Sequence, residues 1–355
     1  MPAQHLNLKM KLHVYSIERW GIYGTEKNQV DPKCCGVSET LEALHQWAIL
    51  SGAPLSETKT YDANHLLLPS YTWGMSQGLH GDWLVSLWNE VENDDGQVRY
   101  APSTQPVGAA QAKSHNPGLN MIPGFPSLFW VLPRLKILIA IVPETQRSSG
   151  IRQFDEYIRG FIGFFSEYVI RNVNNPLERD GFTSTKKPQG KDERIVDPKL
   201  HVSYYVHIKR KLGHFDKILD SASDIRKIVK KVDMKTIVGR PRFGKGIYYL
   251  ARQLGLQNEN VSSLPRKTFK IEIPVTLDRD DVQQAIDEYL QNDGSPAYDV
   301  GYVLANEATP IFLSGSRLIE ECEILYPIRA DGTADLAALM DELQLQREDV
   351  KRWIL

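Results

Sequence analysis

The apolar run LFWVLPRLKILIAIV (residues 128–142) is the most hydrophobic part of the chain and carries Pro133, Arg134 and Lys136 near its centre. It covers only about half to three-quarters of a membrane-spanning helix, and charged side chains interrupt it. A proline beside an arginine between two apolar segments is typical of a turn. We therefore expect two consecutive buried strands joined by a tight turn at Pro133-Arg134, and no insertion into a membrane.

Periodic patterns on both sides of this run extend the predicted core. Residues 12–17 alternate as a strand, and residues 38–50 predict a helix that Ser38 caps. Residues 82–100 predict a hairpin around the turn NDDG at 93–96. Residues 151–173 have aromatic side chains at helical spacing, which indicates a long amphipathic helix whose aromatic stripe lies in the core.

The length of 355 residues suggests two or three domains. Residues 174–198 are polar and contain Pro, Gly and Asn, which is typical of a linker. We expect an N-terminal α+β domain at 1–173 and a basic α+β domain at 199–355, whose acidic C-terminal part has a possible boundary near 275. The predicted fold class is α+β, with two domains of antiparallel or mixed sheet and packed helices.

The second predicted domain alternates strands and helices. Its expected elements are a strand at 201–211, a helix from Ser221 or Ser223 to about 232, a strand at 269–275, a helix at 278–291, a strand at 298–305, a hairpin at 311–327 and a helix at 348–355.

Charge is distributed unevenly along the chain, although the net charge is only −2. Residues 199–252 contain 14 Lys and Arg against 4 Asp and Glu, a local charge of +10. Residues 276–355 contain 6 basic and 17 acidic residues, a local charge of −11. A basic segment attracts polyanions. The acidic part is expected either to mask the basic segment or simply to keep the protein in solution.

Three consecutive predicted elements contribute to the basic segment. The strand presents cationic and aromatic side chains on one face, the helix presents a contiguous cationic face, and the loop GRPRFGKG at 239–246 adds arginines between glycines. The candidate nucleic-acid-binding residues are Lys209, Arg210, Lys211, Arg226, Lys227, Lys230, Lys231, Arg240, Arg242 and Lys245. The alternative is that these residues form an ordinary solvated surface.

Motifs of catalysis and metal binding give no prediction of a site. Glu57 and Lys59 have the ExK spacing of metal nucleases but no convincing upstream acid, and Arg210 with His214 has imperfect spacing for RNA cleavage. Only three cysteines occur, without metal-ligand spacing, and residues 1–11 lack the apolar stretch of a signal peptide. We expect a cytoplasmic protein with no catalytic residue, metal or cofactor.

Two segments resemble a known family. IPGFPSLFWV at 122–131, followed by a second apolar strand and a helix from Arg152, resembles the phage exclusion protein RexA family, as does 200–232 with its His-rich strand, GHFDKIL and Lys-rich helix. The similarity covers about a third of the chain. It implies a non-enzymatic DNA-binding protein of phage–host conflict that acts as a homodimer with a separate effector protein. The residues carried over are Lys209, Arg210, Lys211, Arg226, Lys227, Lys230 and Lys231.

These observations together predict a largely sequence-independent DNA-binding protein that acts as a sensor or recruiter in bacterial anti-phage defence, of the abortive-infection kind. RNA is an alternative ligand. A nuclease effector with an unrecognised active site and a protein-interaction scaffold are the alternative functions.

Overall fold

The protein is described from a computed structural model. The described residues are 4–26, 29–64, 67–92, 99–109, 111–113, 120–144, 146, 148–175, 178–188, 193–210, 215–233, 268–291, 299–305, 307, 309–315 and 318–354.

The chain forms two compact units, of which the second is inserted into the first. Unit 1 comprises Met1–Lys209 and Leu318–Leu355, and unit 2 comprises Arg210–Arg317. The chain leaves and re-enters unit 1 at one point, because the Leu318 amide donates to the Lys209 carbonyl at 2.7 Å and Val14 forms backbone hydrogen bonds with both residues. This division differs from the predicted linker at 174–198, which contains a paired strand and lies within unit 1.

Unit 1 is built on a curled antiparallel sheet. Strands are numbered along the whole chain, and those of unit 1 are β1 (Gln4–Tyr23), β2 (Ser70–Gln77), β3 (Trp83–Glu90), β4 (Arg99–Pro102), β5 (Met121–Leu132), β6 (Ile137–Pro143), β7 (Val169–Arg171), β8 (Arg179–Phe182), β9 (His201–Ile208) and β14 (Ile319–Ile328). The order in the sheet is β14-β1-β6-β5-β3-β2, β9 pairs with the second half of β1, β4 pairs with β5, and β7 and β8 form a separate pair.

The apolar run at 128–142 forms two consecutive buried strands, as predicted, and they lie at the centre of this sheet. Its strands β5 and β6 are joined by the 3-10 turn Pro133–Leu135. Alternation along β5 sends Phe129 into the core on one face of the sheet and Trp130 into the core on the other, and both are fully buried. A strand that is buried on both faces has a continuous run of hydrophobic residues in its sequence.

Helices cover both faces of this sheet. They are α1 (Val37–His45) and α2 (Ile151–Gly160) on one face, and α5 (Leu336–Leu345) and α6 (Arg347–Ile354) on the other. The predicted helix at 38–50 is confirmed, with its last turn π-helical and with Gly36 rather than Ser38 at the N-cap position. The aromatic stripe of α2 is core, as predicted, but the helical segment ends with the π-helical turn Phe161–Phe165 and β7 follows.

Both predicted hairpins are wrong in their pairing. β3 pairs with β2 and β5, and β4 pairs with β5 rather than with β3, because the twelve-residue β5 provides hydrogen-bonding length for both partners. In the hairpin predicted at 311–327, the two strands do not pair with each other. β13 (Ile311–Phe312) pairs within unit 2, whereas β14 pairs with β1. Turn signals predict where a strand ends but do not identify its partner.

Unit 2 has a smaller antiparallel sheet with two described helices. Its strands β10 (Ile225–Asp233), β11 (Thr268–Pro274), β12 (Gly301–Leu304) and β13 are ordered β11-β10-β12-β13. Helices α3 (Phe215–Asp220) and α4 (Arg279–Gln291) contribute Ile218 and Ile286 to a core that includes Ile225 and Tyr302. The predicted α+β class is confirmed for the chain. Among the described residues, no helix is long and apolar enough to cross a membrane.

Candidate nucleic-acid interface

The aromatic and basic face predicted on β9 lies in unit 1. Tyr204 is buried against Trp20, with ring centroids 5.0 Å apart, whereas Tyr205 is half exposed and stacks on His207 at 5.7 Å. His207 faces Glu18, with Nδ1 3.3 Å from a carboxylate oxygen. Lys209 follows the strand, and partial burial lowers the pKa of its ammonium group. The alternation predicted for this strand is therefore confirmed.

Arg210 belongs to a polar network inside unit 2. Its guanidinium donates a hydrogen bond to the Ser314 hydroxyl and lies 3.8 Å from Asp299. Ser314 donates its hydroxyl to Asp299 at 2.7 Å and its amide to the other carboxylate oxygen at 2.9 Å. These contacts hold Arg210 in place beside a carboxylate.

The predicted Lys-rich helix at 223–232 is a strand, β10. The spacing of its four apolar residues fits a helix, but all four are β-branched: Ile225, Ile228, Val229 and Val232. Such residues are stiff at χ1 and favour strands. Pairing with β11 on one side and β12 on the other then fixes the strand conformation.

This change of element redistributes the cations. Neighbouring side chains of a strand point to opposite faces, so Lys227 and Lys230 do not share the contiguous face that a helix would give them. Lys227 is exposed and lies 3.8 Å from Glu272, which also pairs with Lys270 at 2.6 Å. Burial lowers the pKa of Lys230.

The ten predicted residues are therefore only partly brought together. Arg226, Lys227, Lys230 and Lys231 follow one another on β10, Arg210 lies in the same unit, and Lys209 ends the first segment of unit 1. Lys211, Arg240, Arg242 and Lys245 lie outside the described residues.

The basic charge of unit 2 is concentrated in one connection, residues 234–267, hereafter the basic connection. It contains seven Lys and Arg against one Glu, whereas the rest of unit 2 contains ten basic and thirteen acidic residues. Asp233 and Thr268, which flank it, are paired residues of β10 and β11. The residues on either side of the basic connection are therefore neighbours across the β10–β11 pair.

The acidic C-terminal part is not a separate unit. Residues 276–317 belong to unit 2 and residues 318–355 to unit 1, where β14 pairs with β1 and α5 is buried in the core. Removing everything beyond Val275 would therefore delete structural elements of both units. Such a truncation cannot test masking of the basic segment.

The two residues with the ExK spacing, Glu57 and Lys59, are both exposed. Glu57 ends up exposed in the 3-10 helix Leu55–Thr58, and Lys59 pairs with Asp62 at 2.6 Å. Among the described residues, no group of three or more His, Cys, Asp or Glu is placed to hold a metal ion. Burial raises the pKa of the Cys34 thiol to about 12 and that of Cys35 to about 11, which keeps both protonated and unreactive near neutral pH.

Sequence reasoning missed a second cationic group, in unit 1. Arg159, Arg171 and Arg179 line one cleft. The sequence placed the first two in a predicted helix and the third in a predicted linker, so nothing suggested that they meet. The mixture of arginine and phenylalanine between 159 and 182 is the only local signal.

No protein-family model, curated protein or solved structure matches the chain.

Proposed function

We propose that the protein binds DNA through unit 2, following the phosphate backbone with little base preference, and acts as a sensor or recruiter in bacterial anti-phage defence. The observation that carries the binding proposal is the charge of the basic connection, +6, between the paired residues Asp233 and Thr268. Phosphate neutralisation by Lys and Arg supplies most of the free energy of sequence-independent binding.

The strand cations are expected to contribute less than those of the basic connection. Lys227 and Lys270 both contact Glu272, and Arg210 contacts Asp299, so a phosphate must compete with a carboxylate already in place. Arg240, Arg242 and Lys245 are the residues on which we expect binding to depend most, because the glycines around them permit close backbone approach and arginine offers bidentate contacts to phosphate.

The test measures binding of a labelled DNA duplex to the full chain over a range of salt concentrations. The variant Arg240→Gln/Arg242→Gln/Lys245→Gln should bind more weakly, and the slope of log K against log salt should fall by about 0.9 for each phosphate that is no longer neutralised. The matched control removes three cations of unit 1, with Lys9→Gln/Lys113→Gln/Lys136→Gln. Equal slopes for both variants would contradict the proposal.

Two further measurements separate the alternatives. Plasmid incubated with the protein and Mg²⁺ or Mn²⁺ should be shifted in a gel and remain uncut, since cleavage would indicate a nuclease. RNA of the same sequence, used as a competitor, shows which nucleic acid is preferred.

The defence role, the homodimer and the separate effector rest on the family resemblance alone. They are tested by phage plating on cells that express the protein or the triple variant, and by light scattering of the purified chain. Equal plating with and without the protein would overturn the defence role and leave the DNA-binding proposal intact.

A further inference from the structure

A cleft in unit 1 has the volume of a small-molecule site. Its volume is about 830 Å³, and it lies beside α2, the π-helical turn Phe161–Phe165, residues 59–62, and strands β7 to β9. Sites for small ligands have volumes of roughly 300–1,000 Å³. We refer to it as the arginine cleft, because Arg159, Arg171 and Arg179 line it.

Each of these arginines is held by a backbone carbonyl and an aromatic ring. Arg159 donates to the Tyr204 carbonyl at 3.1 Å, Arg171 to the Phe164 carbonyl at 2.9 Å, and Arg179 to the Gly163 carbonyl at 2.7 Å. The Arg179 guanidinium lies 4.8 Å from the ring centroids of both Phe164 and Phe182. Arg159 lies 5.5 Å from the ring of Tyr204. Groups fixed in this way lose little conformational entropy when they bind a ligand.

Helix capping explains only part of this arrangement. The carbonyls of Gly163 and Phe164 lie at the end of a helical segment, where cations are favourable, so Arg171 and Arg179 have a structural role there. Arg159 instead contacts a carbonyl of β9. A guanidinium carries five N–H donors, and the hydrogen bond of Arg179 to Gly163 accounts for one of them.

The charge of the lining favours an anion. The lining contains four cations, Lys59 and the three arginines, and two carboxylates, Asp62 and Glu156, so its net charge is +2. Asp62 is already paired with Lys59 at 2.6 Å. Phe164 lies beside the guanidinium groups and exposes 42% of its surface. A cationic side next to an exposed aromatic ring is complementary to a ligand with a phosphate and a planar apolar group.

We propose that the arginine cleft binds a nucleoside 5′-phosphate, with its phosphate on Arg159 and Arg179 and its base against Phe164. This site lies in unit 1 and is independent of the basic connection proposed to bind DNA. The same chemistry is offered by a free nucleotide and by the 5′-phosphorylated end of a nucleic acid strand.

The experiment titrates the full chain by calorimetry with AMP, ATP and GTP in one arm and a short 5′-phosphorylated single strand in the other. The same strand without its phosphate and inorganic phosphate alone are the reference probes. If the ligand is a free nucleotide, it should bind about tenfold or more tightly than inorganic phosphate; if it is a strand end, the phosphorylated strand should bind about tenfold or more tightly than the same strand without its phosphate. The arm that binds identifies the source of the ligand, and equal binding of all probes overturns the proposal.

Three variants assign the contacts. Arg159→Gln and Phe164→Ala should each weaken binding by about tenfold, the second without changing affinity for inorganic phosphate. Gly163→Ala keeps every charge but places a Cβ 2.8 Å from Arg179 Nη1, which displaces the guanidinium. Arg152→Gln is the matched control, an exposed arginine of α2 outside the cleft lining, and should bind like the unmodified chain.

Unchanged affinity in folded Arg159→Gln and Phe164→Ala overturns the site, with folding checked by circular dichroism. The triple variant of the basic connection should keep full nucleotide affinity. Failure of this proposal is thereby distinguishable from failure of the DNA-binding proposal.

Discussion

Among the described residues, the two units differ in whether an ion pair lies in the core. In unit 1, Arg347 and Asp82 form an ion pair in the core, with Nε 2.7 Å from a carboxylate oxygen and side-chain exposures of 8% and 0%. In unit 2, the described ion pairs lie on the surface, and their cations are about half exposed or more. Unit 1 has three hydrophobic clusters among its described residues, and unit 2 has one.

The net charge of a sequence segment is therefore a poor guide to the charge that its residues present in the folded protein. The +10 and −11 segments overlap both units, and within unit 2 basic and acidic residues pair with each other. Within unit 2 the basic connection carries +6, whereas the rest of the unit carries ten basic and thirteen acidic residues, a charge of −3. A function inferred from charge therefore has to be assigned after the units are known, and the following experiments test the contrast between the units.

The largest expected effect comes from breaking the buried pair of unit 1. Replacement Arg347→Met leaves Asp82 charged and buried without its partner, which should lower the free energy of unfolding of unit 1 by about 3–5 kcal/mol. The control is Arg352→Met, whose pair with Asp349 lies on the surface and should contribute less than about 1 kcal/mol. Urea unfolding measures both variants, and similar destabilisation of the two would contradict the contrast.

The next largest effect concerns the small core of unit 2. Ile286 of α4 is buried, and Ile286→Ala should cost about 2–4 kcal/mol because it leaves a cavity. Leu290→Ala on the same helix is the control, since half of that side chain is already exposed. Hydrogen exchange should show faster opening of β10 and unchanged protection of β5.

If β5 loses protection together with β10, the two units unfold as one. That outcome would remove the energetic distinction between them.

The sequence predicted the fold best where the core is buried on both faces. The continuous apolar run at 128–142 predicted the adjacent strands β5 and β6, and alternation at 12–17 predicted the central part of β1. The 223–232 segment failed because its apolar residues fit both a helix and a strand, and the choice is made by pairing with β11 and β12. Strand partners depend on contacts distant in sequence, which no local pattern contains.

The candidate sites show the same limit. Basic residues are visible in any sequence, so the ten candidates could be named, but Glu272 and Asp299 could not be predicted as their neighbours. The arginine cleft was missed because its three arginines lie on α2, β7 and β8, and these elements come together only in the folded unit.

A smaller effect comes from Asp155, which contacts Tyr204 of the arginine cleft. Burial raises the pKa of its carboxyl group to about 6, although Tyr204 donates a hydrogen bond to it at 3.0 Å. A raised folded-state pKa means that the folded protein binds more protons than the unfolded chain between about pH 4 and 6. Unit 1 should therefore lose stability as the pH rises through this window, by about 1–3 kcal/mol after allowance for solvent screening.

The variant Asp155→Asn cannot titrate, so its stability should depend less on pH over the same window. Urea unfolding of both proteins at several pH values between 4 and 7 measures the difference. Parallel curves would show that the carboxyl group ionises in the folded protein as it does in the unfolded chain.

The smallest effect is expected for a surface pair of unit 2. Lys217 Nζ lies 2.7 Å from Glu307, but the two side chains are 48% and 40% exposed, so water and salt screen their attraction. Lys217→Gln should cost less than about 1 kcal/mol at low salt, and the cost should vanish near 1 M salt, where the Debye length is about 3 Å. Hydrogen exchange of β10 in Lys217→Gln, Glu307→Gln and the double variant gives the coupling energy of the pair. A coupling above about 2 kcal/mol that persists in high salt would mean that unit 2, like unit 1, depends on a specific ion pair, and the contrast between the units would then lie only in the sizes of their cores.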